Sequence, residues 1–247
     1  MHYLEFLAAL HERLAPRTYL EIGVADGHSL ALSRCRSIGI DPDFYVDQEL
    51  LGAVSLHRRT SDEYFSGLGT DGVTPFGELP IDLAYIDGMH HFEYALRDFI
   101  AIERYSAPSS VIAFDDVLPR NAEEAARDRE DWPWTGDVFR IQYALAAHRP
   151  DLRLICVDTE PTGTLLAVNL DPTSNVLAER LDDIVREFVC PDPQHVPVEI
   201  LSRTGAITPA RALSLKLWGK LRSARIVGTA ELVAGAVRGE APRSRQA

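Results

Sequence analysis

The chain has 247 residues, of which 46% are hydrophobic, 25% charged and 8% aromatic. This composition is typical of a soluble globular protein with a full core, and it excludes a disordered or fibrous chain. The formal net charge of −12 argues against nucleic acid as the main partner, because nucleic-acid binding depends on basic surfaces. No apolar run approaches the roughly 18 to 20 residues that cross a bilayer, and the first residues do not resemble a signal peptide. We therefore expect a cytoplasmic location.

The charge is unevenly distributed along the chain. Residues 201–247 contain nine basic and two acidic residues, a balance of +7, which leaves −19 for the first 200 residues. The basic segment interleaves its charges with Leu213, Leu217, Trp218 and Leu221, a pattern that predicts an amphipathic helix. Such a helix could lie on an anionic membrane, but we expect it to dock on the acidic body of its own chain or on a second subunit. We predict one domain over residues 1–190 and a basic, partly helical extension over 191–247.

Apolar periodicity predicts the elements in chain order. They are a helix over 4–14, a strand over 18–23, a helix over 29–35, strands over 37–41, 54–60 and 82–87, a helix over 92–105, a strand over 110–115, an irregular segment over 117–137, a helix over 138–148, and strands over 152–158 and 162–170. Short strands that alternate with helices indicate a mostly parallel sheet covered on both faces. The last two strands are close enough in sequence to form an antiparallel hairpin. The predicted fold class is thus a doubly wound, Rossmann-like α/β fold with an antiparallel edge.

Each of the first five predicted strands leads into an acidic side chain. Those residues are Glu21, Asp41, Asp62 after Ser61, Asp87, and the pair Asp115 and Asp116. In an open parallel sheet, ligands bind beyond the carboxyl ends of the strands. Clustered carboxylates repel one another, so a cationic ligand, ribose hydroxyls or a metal ion would compensate for them. The pattern therefore predicts a ligand site at this edge.

A glycine turn follows the first predicted strand. Gly23 and Gly27 allow a tight turn and a close approach of the backbone to a ligand, but Ala25 interrupts the GxGxxG pattern of an NAD site. Asp41 lies eighteen residues beyond Gly23, a spacing that suits a contact with both ribose hydroxyls of a nucleoside cofactor. The same aspartate would also serve as an ordinary turn residue in the sequence DPD.

The motifs LEIGVADG (20–27), GIDPD (39–43), LAYIDGMHHFEYALRDF (83–99) and VIAFDDV (111–117) occur in order. Together they resemble class I S-adenosylmethionine-dependent methyltransferases over about residues 18–170. The DGxH and DD sequences are similar to metal-dependent sugar O-methyltransferases of the macrocin and mycinamicin type.

That resemblance implies a role for each candidate residue. Glu21, Gly23 and Gly27 would shape the methionine and ribose pocket, Asp41 would bind the ribose, and Ser61 and Asp62 would lie near the adenine. Asp87, Asp115 and Asp116 would hold Mg²⁺ or another divalent cation, and His90 would be the general base. The resemblance thus implies O-methylation of a hydroxyl on a small molecule, a sugar or glycoside. We also expect a homo-oligomer such as a homodimer.

Elementary chemistry agrees with this assignment. Adjacent strands lie about 4.8 Å apart, so carboxylates that follow neighbouring strands can share one hard cation. Metal coordination lowers the pKa of a hydroxyl, and a nearby imidazole can then accept its proton.

Other functions stay open at this stage. A phenol or catechol O-methyltransferase would use the same metal ligands. A metal-dependent hydrolase would use His90, His91, Asp115 and Asp116, and a non-catalytic module would only bind the cofactor. Trp132 and Trp134 could form an apolar wall for the acceptor, or they could simply anchor a long loop on the core.

Overall fold

A computed structural model of the chain describes residues 1–68, 72–129 and 133–227. Seven strands form one sheet in these residues: β1 (Thr18–Ile22), β2 (Arg36–Ile40), β3 (Val54–His57), β4 (Ile81–Ile86), β5 (Ser106–Phe114), β6 (Arg153–Val157) and β7 (Thr164–Val168). Nine α-helices accompany them: α1 (Tyr3–Leu14), α2 (Ser61–Gly67), α3 (Phe92–Glu103), α4 (Ile141–His148), α5 (Val176–Glu179), α6 (Leu181–Phe188), α7 (Val198–Leu201), α8 (Pro209–Leu213) and α9 (Leu217–Val227).

The strand order across the sheet is β3-β2-β1-β4-β5-β7-β6. The pairs among β1 to β5 are parallel, whereas β7 pairs antiparallel with both β5 and β6. The central strands β1 and β4 are buried along their whole length, which explains why their sequences are mainly apolar. This arrangement confirms the predicted mixed sheet with an antiparallel hairpin at one edge.

Helices cover both faces of the sheet because side chains alternate along each strand. On β4, Ala84 and Ile86 belong to the apolar cluster that includes α3 and α4. Leu83 and Tyr85 point to the opposite face, where the cluster includes residues of α1, α8 and α9. The two faces therefore have separate cores, and the last described helices complete one of them.

The described part of the basic C-terminal segment packs against the sheet. Leu217, Trp218 and Leu221 of α9 are buried, and the Arg225 guanidinium forms an ion pair with the buried Asp82 at 3.2 Å. An Arg225 nitrogen also donates to the Leu14 carbonyl at 3.0 Å. Residues 209–225 thus share the core of the preceding residues; a domain boundary near residue 190 stays a prediction.

Two local predictions differ from the structure. The helix predicted over 29–35 is a single 3-10 turn at Leu30–Leu32, because the whole connection from β1 to β2 has only residues 23–35 and its serines bond locally. Ser33 accepts from the Cys35 amide at 3.3 Å and from the Ser37 hydroxyl at 2.8 Å, which competes with helix formation. The strand predicted over 54–60 ends at His57, and α2 starts at Ser61.

Within the described ranges, every helix falls short of the length and hydrophobicity that a bilayer crossing requires.

Candidate active site

The carboxyl ends of β1 and β4 meet where the strand order reverses, the usual position of a ligand site in an open α/β sheet. Gly23, directly after β1, has a φ of +85°, and a Cβ there would lie 1.9 Å from the Asp87 carbonyl oxygen. The Asp87 amide donates to the Ile22 carbonyl at 2.8 Å. Glycine is therefore required at position 23 by both the backbone conformation and the close approach of β4.

Asp41 braces the turn that follows β1. Its Oδ2 accepts from the amides of Val24 at 2.8 Å and Ala25 at 2.9 Å. Its Oδ1 accepts from the Asp43 amide at 2.7 Å, as expected for a strand-end turn residue. The structure thus places Asp41 beside the glycine turn and gives it a structural role there.

Glu21 is fully buried below the same turn. Its carboxylate accepts from the Tyr19 hydroxyl at 2.5 Å and from the Ser29 hydroxyl at 2.7 Å. Burial raises the pKa of Glu21 to about 8, although both hydrogen bonds act in the opposite direction. Its side chain therefore supports the pocket from below.

Ser61 and Asp62 are the first two residues of α2, so they lie at the N-terminus of this helix. Thr60 and Glu63 form a capping box at this terminus. Asp62 pairs with Arg97 at 2.7 Å. The Ser61 side chain bonds to Asp98, whose pKa burial raises to about 7 despite that bond. Sequence reasoning missed Asp98, since an acid inside an amphipathic helix gives no signal of its burial.

Asp87, His90 and Asp116 form the chemical centre of this edge. The His90 Nε2 lies 3.2 Å from an Asp87 oxygen, and its Nδ1 lies 3.1 Å from an Asp116 oxygen. One ligand atom from each residue lies within 4.8 Å of the other two. Divalent cations bind to carboxylate oxygens and imidazole nitrogens, and this site offers two carboxylates and one imidazole. These three residues could therefore hold a metal ion.

The electrostatics of His90 are set by its two acidic neighbours. Burial alone lowers the pKa of His90, but the hydrogen bond to Asp87 and the charges of Asp116 and Asp87 outweigh burial and raise this pKa to about 9. Burial raises the pKa of Asp116 to about 6, against the opposing charge of His90. Without a bound cation, His90 is thus a charged donor between two carboxylates.

Asp115, the third predicted metal ligand, is not part of this group of three. Its side chain follows β5 on the face of Tyr85, and burial together with the charges of Asp87 and Asp116 raises its pKa well above the ordinary value. Burial and the charge of the neighbouring Asp115 carboxylate raise the pKa of the Tyr85 hydroxyl. Asp115 and Asp116 lie beyond the end of β5, and the left-handed backbone of Asp116, with a φ of +60°, breaks the regular alternation of the strand at this point.

His91 also points away from the centre, with its Nε2 2.9 Å from the Arg127 carbonyl. This position gives no support to a hydrolase that uses both histidines.

A small cleft lies at the centre, lined by Asp87, Met89, His90, Asp98, Asp115 and Asp116 among others. Tyr3 of α1 is near its acids, because burial and the charges of Asp87, Asp115, Asp26 and Asp116 all raise the pKa of this phenol. Tyr3 was missed because its position in the sequence fits an ordinary helix start.

Trp134 stacks on His90 with 5.1 Å between ring centroids, whereas Trp132 lies outside the described residues.

Comparison with known proteins gives matches over this part of the chain. Residues 20–117 match a family model described as a methyltransferase domain. A putative O-methyltransferase from Klebsiella pneumoniae superposes with a TM-score of 0.51 and 20% identity, over 68% of this chain and 80% of that one. The O-methyltransferase TomG from Streptomyces achromogenes, solved with S-adenosylmethionine, gives a TM-score of 0.50 and 20% identity over the same shares.

The strand order and these superpositions agree. The chain has the class I methyltransferase fold. An uncharacterized protein, R132 of Acanthamoeba polyphaga mimivirus, is 28% identical over 155 residues, which are 56% of this chain and 62% of that relative. Within the class I methyltransferase fold, the glycine turn and the group of Asp87, His90 and Asp116 lie at the carboxyl ends of the central strands.

Proposed function

We propose that the protein is an S-adenosylmethionine-dependent O-methyltransferase that acts on a hydroxyl of a small molecule with the assistance of a divalent cation. The observation that carries this proposal is the joint position of two features at one sheet edge. The glycine turn with Asp41 offers a nucleoside site, and Asp87, His90 and Asp116 offer a metal and proton-transfer site beside it. A methyl donor and an ionisable acceptor need these two sites next to each other.

For the cofactor, we assign the turn at Gly23 and Gly27 to the methionine and ribose, with Glu21 supporting it from below. Asp41 would accept from the ribose hydroxyls through lone pairs that its amide partners leave free. Ser61 and Asp62 would face the adenine. The acids around the cleft suit the positive charge of a sulfonium.

For the metal, we assign Asp87 and Asp116 as carboxylate ligands. The convergence of one ligand atom from each of Asp87, His90 and Asp116 within 4.8 Å of the others supports this assignment. A bound Mg²⁺ would lower the pKa of a coordinated acceptor hydroxyl. It would also offset the charges of Asp87 and Asp116 that raise the pKa of His90. His90 would then accept the hydroxyl proton as the general base.

For the acceptor, we propose a sugar or glycoside, as the sequence resemblance implies. The exposed side chain of Met89 and the partly exposed Trp134 would offer apolar contacts to the C–H face of a sugar ring. A phenol or catechol would fit the same centre. A homodimer also stays a proposal.

Calorimetry with S-adenosylmethionine and S-adenosylhomocysteine is the first test. We expect both to bind, and the absence of binding by both would overturn the proposal. Methyl incorporation across glycosides, catechols and phenols, with Mg²⁺ or with a chelator, would then identify the acceptor class. Turnover that is equal with and without the chelator would contradict the metal assignment.

The variant His90→Gln tests the role of the histidine. If His90 is the base, the variant binds Mn²⁺ and cofactor like the wild type, and kcat falls roughly 10²–10⁴-fold. A large loss of Mn²⁺ affinity would instead identify His90 as a third metal ligand.

A further inference from the structure

We propose that Arg127 is a positioning residue for His90 and acts through a clamp made of residues 124–129 and 133–137. This inference deepens the proposed function and rests on it. The clamp follows β5 in the chain and contacts four consecutive residues, 90–93, which join the end of β4 to α3.

The contacts to His90 come from the second half of the clamp. The His90 Nδ1 lies 3.0 Å from the Trp134 carbonyl oxygen, and the Trp134 ring stacks on the imidazole with an interplanar angle of 23°. A Cβ on Gly136 would lie 1.6 Å from the His90 carbonyl oxygen, so the two backbones are in direct contact. Only a glycine at position 136 permits this approach.

The next three residues are held as well. The Arg127 carbonyl lies 2.9 Å from the His91 ring. Asp137, which is completely buried, accepts from the Phe92 amide at 2.7 Å. The Arg127 guanidinium binds both oxygens of Glu93, at 3.0 and 2.5 Å, and Asp137 at 2.5 Å.

His90 needs such support because its backbone is in the left-handed region, with a φ of +54°. A residue with a side chain is strained in this conformation, so surrounding contacts must maintain it. Arg127 joins Asp137 to Glu93 and thereby fixes the clamp against the first turn of α3. Removal of Arg127 should therefore displace the imidazole without touching the glycine turn.

The chain offers a matched control at the other end of the same helix. Arg149 binds both oxygens of Glu103, the last residue of α3, at 2.6 and 3.0 Å, and it also binds Asp151 at 2.8 Å. Arg127 and Arg149 are thus similar guanidinium centres at opposite ends of α3, and Arg149 has no contact with residues 90–93 among its hydrogen bonds within the described ranges.

The experiment compares Arg127→Met with Arg149→Met. For Arg127→Met we expect kcat to fall roughly 10–100-fold, as for other groups that orient a reacting residue, with the Kd for S-adenosylmethionine unchanged. Amide exchange over residues 90–93, measured on the ligand-free protein by mass spectrometry, should become faster. Arg149→Met should lower the Tm while kcat, measured below the Tm, and exchange at 90–93 stay at wild-type values.

Equal losses of kcat in both variants, or wild-type exchange at 90–93 in Arg127→Met, would overturn the proposal. If Arg127→Met does not fold, Asp137→Asn removes the charge of the pair and keeps an acceptor for the Phe92 amide; it should give the same changes in smaller measure. Because exchange needs neither cofactor nor acceptor, it still tests the clamp if the wild type fails to bind S-adenosylmethionine and the proposed function is wrong.

Discussion

At the scale of single residues, Gly23 is constrained both by its backbone conformation and by the nearby Asp87 carbonyl. In Gly23→Ala, the left-handed backbone costs roughly 1–2 kcal/mol, and the methyl group would also collide with the Asp87 carbonyl. We expect a lower Tm. We also expect at least tenfold weaker binding of S-adenosylmethionine, because the displaced turn loses contacts to the cofactor and a loss of about 1.4 kcal/mol weakens the Kd tenfold.

Gly219→Ala is the control for this change, because nothing lies within 4 Å of the position of its Cβ. In the interior of α9, alanine should raise the unfolding free energy by about 0.5–1 kcal/mol. Similar effects of the two substitutions would show that the constraint at Gly23 is not real.

Glu21 makes a prediction about pH. Its folded pKa of about 8 lies above the ordinary value of 4.5, so the folded state favours the neutral acid. Its contribution to stability is fully present below pH 4.5 and is lost as the pH rises through 8, with a slope of at most about 1.4 kcal/mol per pH unit. Denaturant unfolding of Glu21→Gln between these pH values should lack this slope. The exposed Glu12→Gln should retain it, and a wild-type slope in Glu21→Gln would refute the assignment.

Some residue roles could not be predicted from the sequence. The acids at the strand ends were visible because each follows an apolar run. The sequence did not indicate that Asp116 rather than Asp115 joins Asp87 and His90, since the chain leaves β5 through Asp116 in a left-handed conformation with a φ of +60°. Tyr3, Arg127 and Asp137 reach the centre through contacts between distant segments, which local patterns do not record.

At the scale of elements, α9 is part of the core. The Trp218 side chain is 2% exposed, and its Nε1 donates to the Ala212 carbonyl at 2.8 Å. Trp218→Ala should therefore lower the unfolding free energy by about 3–5 kcal/mol, measured by denaturant titration. Lys220→Ala, on the exposed side of the same helix, should change it by less than about 0.5 kcal/mol. Equal effects of the two substitutions would contradict the packing of α9.

Strands and helices were predicted correctly where a single sequence pattern determined the local structure. The buried strands were found because short, mainly apolar segments bounded by turn residues are typical of strands in a buried sheet. The helix expected over 29–35 failed because the connection is short and its serines bond to nearby groups. The helix α2 was not predicted, although Thr60 and Glu63 have the spacing of a capping box.

At the scale of the whole molecule, the net negative charge of residues 1–200 should attract a positively charged cofactor through long-range electrostatics. S-adenosylmethionine carries a sulfonium that S-adenosylhomocysteine lacks, so the acids of the cleft should favour the former electrostatically. Raising the ionic strength from 0.02 to 0.5 M, which shortens the Debye length from about 20 to 4 Å, should weaken binding of the sulfonium compound more than that of the neutral one. Equal salt dependence in calorimetry would argue against this field.

The charge asymmetry in the sequence correctly drew attention to the C-terminal segment but did not reveal how it binds. Its described contacts with the sheet are mainly apolar, and Arg225 contributes a single buried ion pair with Asp82. The composition gives the number of charges in a segment, but only the structure shows which of those charged side chains are buried and contribute to packing.

The position of α9 has a consequence for the order in which the protein is made. The ribosome releases the N-terminal strands first, yet the face of β4 and β5 that contains Leu83 and Val111 is covered in part by residues 217–224. Until that helix emerges, the nascent chain presents an apolar surface that favours association with other chains. Completion of this face must therefore wait until residues 217–224 have been synthesised, and a chaperone that shields apolar surface would act mainly during this interval.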